Sequence, residues 1–196
     1  ISCVFKANEL MNSEYNNHFE LNNNNDIWNI FIYNNMMFNL PFTLSDIIFI
    51  PITKILTASK QKLIEILIHE KLHTLQRINT NIWNIYIRVN YPNWICINKN
   101  NALFKELADD KLQQQLDDNI VINPDTCYSN FKYIYSLNSK LYYGILVYKN
   151  NIVSTIWFEI IYNKNIELKY IKQDILPYES PYESVVYDLV KIIMSE

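Results

Sequence analysis

A single glycine, Gly144, serves all 196 residues. Glycine lets a backbone turn tightly around a phosphate, and the P-loop and the dinucleotide-binding βαβ unit each need several. Both are therefore excluded. Turns fall to other residues: Asn123-Pro124-Asp125 reads as a turn, and Lys149-Asn150-Asn151 as the link of a hairpin. Asparagine, isoleucine, tyrosine and lysine are abundant, as in NNNND at 22–26. Codons of a very A/T-rich genome supply such a bias, which says little about chemistry.

The order of elements follows from periodicity. Residues 1–26 form an Asn-rich N-terminal segment, read mostly as loop, and residues 27–196 are read as one domain. DIWNIFIY (26–33) and DIIFIPI (46–52) are short β-branched and aromatic runs, hence strands. From about Thr57 to Ile78 the pattern turns helical, with Leu63, Ile64, Ile66 and Leu67 as an apolar stripe and Thr57 or Ser59 as cap. Ile82, Ile85, Tyr86 and Val89 predict a second helix before Tyr91-Pro92. Residues 102–118 predict a third, with Leu103, Leu107 and Leu116 on one side. Strand-like runs follow at 133–137, 140–148, 152–161 and 166–171, then a closing helix from Pro181 to Met194. That order is α+β: an active-site helix on a small, mostly antiparallel sheet.

Composition removes several function classes. The chain is 49% hydrophobic and 19% charged, as in globular proteins. A net charge of -3 gives no electrostatic case for nucleic acid or an anionic membrane. No apolar stretch reaches bilayer length. The opening ISCVFKANEL lacks a basic segment followed by an apolar run, so no signal peptide is expected. Cys3, Cys96 and Cys127 are scattered and odd in number, which argues for a reducing, intracellular setting and against a disulfide framework.

The chemistry concentrates in LIEILIHEKLHTLQR, residues 63–77, where His69, Glu70 and His73 spell H-E-x-x-H. By chance this pattern arises in about one chain of this composition and length in four hundred. Residues four apart share a helix face, so both imidazoles can address one zinc ion. Glu70 is turned about 100° from His69, beside the ion instead of on it. There it is placed to take a proton from the water in the fourth position.

The third ligand sets the subclass. A metzincin needs a glycine three residues and a histidine six residues after the second motif histidine; Gln76 and Asn79 stand there instead. His18, the remaining histidine, reads as a solvated loop residue. A carboxylate from a later helix is the gluzincin alternative, with two candidates. Glu106 with Asp110 gives E-x-x-x-D on a largely polar helix, whereas Glu183 lies on the mostly apolar final helix. Glu65 and Gln76 share the face of the histidines, where either can orient an imidazole. Tyr187, Tyr128 and Arg88 are candidate oxyanion donors, Tyr187 first because it lies one turn from Glu183.

LIHEKLHTLQR, the NPDT at 123–126, the strand meander and PYESVVYDLV together resemble metallopeptidase-like proteins of large DNA viruses. Those carry an HExxHxxQR helix, an Asn-Pro-Asp turn and a Pro-x-Glu helix near the C-terminus. The resemblance covers about residues 55–196 and departs where Ser184, Val185 and Val186 follow the glutamate in place of small residues. It implies a zincin-like fold and Glu183 as third zinc ligand. The expected function is a zinc metallopeptidase acting on a peptide or protein in the host cytoplasm or virion. The alternative is an inactive protease-like structural or virion-associated binding protein. A third is a hydrolase of the same chemistry acting on something other than peptides.

Overall fold

A computed structural model describes residues 2–18, 27–34, 39–114, 116, 120–122, 131–149, 152–162, 165–171 and 174–195. In chain order the elements are α1 (Ser2–His18), β1 (Asn29–Tyr33), β2 (Phe42–Leu44), β3 (Ile47–Pro51), α2 (Ile52–Thr57), α3 (Lys60–Ile78) and α4 (Thr80–Asn90). There follow β4 (Trp94–Asn98), α5 (Ala102–Glu106), α6 (Asp109–Gln113), β5 (Val121–Ile122), β6 (Phe131–Leu137), β7 (Lys140–Lys149), β8 (Ile152–Tyr162), β9 (Ile166–Ile171) and α7 (Pro181–Met194). The fold is α+β. The chain forms two compact units, Ile1–Trp83 with Ser184–Glu196, and Asn84–Glu183. Both chain crossings lie inside helices, α4 and α7. Among the described residues no helix is long and apolar enough to cross a membrane.

In the first unit β3 is the centre of a three-stranded sheet, parallel to β1 and antiparallel to β2. Phe42 and Phe49, directly opposite in that register, stack with centroids 4.7 Å apart. Helix α3 lies against β2, β3 and α1. Its start is fixed by Ser59, whose side chain accepts from the Lys62 amide. Its apolar stripe runs Ile64, Leu67, Ile68, Leu72 and Leu75, all buried at the three- and four-residue spacing of one face. Two side chains tie the helix down further. Lys71 Nζ donates to the Ile27 carbonyl at 2.5 Å, and Arg77 donates to the buried Thr43 hydroxyl.

The N-terminal segment read as loop is helical over Ser2–His18; residues 19–26 lie outside the described ones. Ala7 and Met11, four apart and buried, supply the apolar face that the asparagines around them conceal.

The second unit is built on an antiparallel sheet in the order β4-β6-β7-β8-β9, with β5 paired to the far end of β7. One face carries Ile97, Ile134, Tyr143, Ile145, Val147, Phe158 and Ile160, and is covered by Leu103, Leu107 and Leu112. The helix expected at 102–118 is two helices, α5 and α6. Leu107 and Ala108 bend the chain between them, and Asp109 starts α6, as suits a residue poor in helix interiors and good at helix starts. The bend lets three leucines reach one core. The opposite face carries Trp94, Tyr133, Tyr142 and Trp157, with Gly144 directly across from Trp157. The hairpin expected at 149–151 joins β7 to β8 as antiparallel neighbours; Asn150 and Asn151 themselves lie outside the described residues.

Candidate metal centre

His69 and His73 occupy successive turns of α3, and helix geometry brings their rings together at 4.8 Å, edge to face. Their Nε2 atoms lie 3.1 Å apart. Two nitrogens each about 2.0–2.1 Å from one tetrahedral ion are about 3.3 Å apart, so the spacing fits a shared zinc. His73 is buried, and its other nitrogen, Nδ1, donates to the Gln76 Oε1 at 2.9 Å. That bond fixes the ring plane and leaves the Nε2 lone pair for an ion. Gln76 is 1% exposed, so the amide is itself held in place. Glu65, the other residue considered for this role, pairs with Lys62 at 2.6 Å on the solvent side.

Glu70 is buried, at 7% exposure, which an acid on an ordinary surface helix is not. Helix α7 carries the candidate third donor. Glu183 sits in its first turn, and the ligand atoms of His69, His73 and Glu183 all lie within 4.8 Å of one another. One turn later, the Tyr187 ring meets the His69 ring at 4.8 Å. The five residues expected from the sequence to share the site are thus on two helices: three on α3 and two on α7. Two imidazoles and a carboxylate are a donor set that suits zinc.

The other candidates fall elsewhere. Glu106 ends α5 in an exposed pair with Lys111 at 2.9 Å. Asp110 belongs to α6, with its side chain outside the described ones, as is that of His18 at the end of α1. Tyr128, Cys127 and the 123–126 turn also lie outside the described residues. Arg88 ends α4, where its charge acts on Cys96: burial pushes that thiol up, against a Tyr133 hydrogen bond and Arg88.

Glu183 also has a local use. Its amide donates to the Ser180 hydroxyl at 3.3 Å, and Ser180-x-x-Glu183 has the spacing of a capping box. The tetrapeptide Pro-Tyr-Glu-Ser occurs twice in succession, at 177–180 and 181–184. The first copy ends at this cap and the second opens α7. That duplication is a sequence signal for the start of α7 that periodicity passes over. Compared with protein-family models, curated proteins and solved structures, the chain matches none.

Proposed function

We propose that this chain is a zinc-dependent peptidase of zincin-like architecture, with His69, His73 and Glu183 holding the ion. The reading rests chiefly on the facing Nε2 atoms, 3.1 Å apart, with the Glu183 carboxylate in reach. When bound, zinc supplies Lewis-acid polarisation of the scissile carbonyl and a water acidic enough to ionise near neutral pH.

The remaining work belongs to the chain's own residues. Glu70, one position from His69 and buried, accepts the proton of the attacking water and delivers it to the departing amine. Tyr187, 36% exposed against His69, donates its hydroxyl to the oxyanion that forms on the peptide carbonyl. Gln76 keeps His73 in one tautomer throughout.

Metal analysis of the purified protein tests the ligand set. One zinc per chain is expected, lost in His73→Ala and weakened in Glu183→Gln. The glutamine variant is chosen because it can still serve the capping box. Full zinc affinity in Glu183→Gln would remove Glu183 from the site. Glu70→Gln should keep its zinc and lose turnover of a peptide library by at least about a hundredfold. Turnover equal to wild type in that variant would refute the mechanism.

A further inference from the structure

The backbone that delivers Glu183 is held at two points within the Asn84–Glu183 unit. The first is Gly144 on β7. A Cβ built there would stand 2.9 Å from the Glu179 Cα and 3.0 Å from the Trp157 indole. The segment leading to α7 therefore lies backbone-to-backbone against the sheet at the one place where the chain spends a glycine. Glu179 is 6% exposed there. The second point is Asn84 on α4. Its Oδ1 accepts from the hydroxyls of both Tyr133 on β6 and Tyr182 on α7. An amide oxygen has two acceptor sites, and these two phenols fill both. The rings meet edge-on with centroids 5.3 Å apart, Tyr133 at 5% and Tyr182 at 1% exposure. Tyr182 is the residue immediately before Glu183.

We propose that Asn84, Tyr133, Tyr182 and Gly144 are positioning residues that set the Glu183 carboxylate for the metal. This rests on the zinc reading above and adds the device that makes its third ligand effective. Glu183 is only part-buried on a helix's first turn, where fraying and rotamer freedom dilute a ligand. Anchoring the preceding residue and the segment before it removes that freedom before the ion arrives. Two buried phenols sharing one amide oxygen tie β6 and the start of α7 to α4 and restrain it.

The test uses the full chain with zinc, measured by chelator competition, and with cobalt as a spectroscopic stand-in. Tyr182→Phe removes one oxygen, and Gly144→Ala adds one carbon. Each is expected to weaken zinc about tenfold or more, the range for residues that orient ligands. Each should also shift the visible cobalt bands toward those of Glu183→Gln. Tyr135→Phe, an equivalent change at a tyrosine whose hydroxyl accepts from exposed Asn93, should alter neither. Wild-type affinity and spectrum in Tyr182→Phe would overturn the proposal, even with a lowered melting temperature. If Gly144→Ala does not fold, Tyr182→Phe carries the test alone. Should Glu183→Gln itself leave affinity and spectrum unchanged, the ligand assignment falls and the proposal with it. If Glu183→Gln weakens zinc and Tyr182→Phe does not, only the positioning role is lost.

Discussion

In the proposed zinc site, one ligand depends on a neutral residue, Gln76. Its Oε1 accepts a hydrogen bond from His73 Nδ1–H, and the ring is thereby committed to present Nε2. Gln76→Leu should weaken zinc by about ten- to a hundredfold, read by chelator competition. Gln76→Glu, which keeps an acceptor at that point, should bind far better than the leucine variant; equal loss in both would deny the hydrogen bond its role. The two histidines and Glu70 were legible because a helix repeats locally, so spacing alone implies a shared face. Glu183 was not legible in that way. It is separated from His73 by the whole second unit, and only the apolar helix around it and the resemblance favoured it over Glu106. The Lys111 pair on Glu106 supplies the physical reason that the two acids differ. Asn84 was invisible: nothing in the local sequence says that an asparagine on α4 collects two tyrosines.

At the scale of elements, two small devices carry measurable stability. Ser59 caps α3, so Ser59→Ala should cost about 1 kcal/mol in denaturant unfolding. A loss below measurement error would mean that the helix start is fixed by its packing alone. The hairpin between β6 and β7 turns through Asn138 and Ser139, with φ of 50° and 64°. Both central residues of such a turn need positive φ, which asparagine tolerates and serine does not favour. Ser139→Gly should therefore stabilise the protein by about 0.5–1 kcal/mol. The strands β6 to β9 were legible as long β-branched and aromatic runs, and α7 as an apolar helix opened by proline. The strands β2 and β5 were not, because two or three residues give too little pattern for a period, and the five-residue β4, directly after the Tyr91-Pro92 break, was passed over. The α5–α6 break was missed for a different reason. Leucine spacing fits one straight helix, but the core they fill demands a bend.

For the whole molecule, the proposed zinc site makes a claim about fold stability, because an ion that binds only the folded chain stabilises it. Zinc at about a hundred times its dissociation constant should add about 2.7 kcal/mol and raise the melting temperature by about 5–10 °C, reversed by chelator. Absence of any shift would mean that zinc does not prefer the folded state. Alkali acts on the second unit. Burial, then the neighbouring Tyr182, pushes the Tyr133 hydroxyl well above its ordinary value near 10. A raised phenol binds its proton more tightly folded than unfolded. Its contribution is complete below pH 10 and declines above it, as the unfolded chain ionises first. Melting temperature should fall more steeply above pH 10 in wild type than in Tyr133→Phe; equal slopes would mean that this phenol does not govern the alkaline limb. The division of the chain has one more consequence. The first unit is interrupted by the second, with α3 before the interruption and most of α7 after it. On the ribosome, the histidine pair is therefore made a hundred or so residues ahead of its acid, roughly 5–20 s at ordinary synthesis rates. On the proposed function, a nascent chain halted anywhere in the sheet carries the two imidazoles and Glu70 without Glu183, and zinc binding and hydrolysis wait for the last helix.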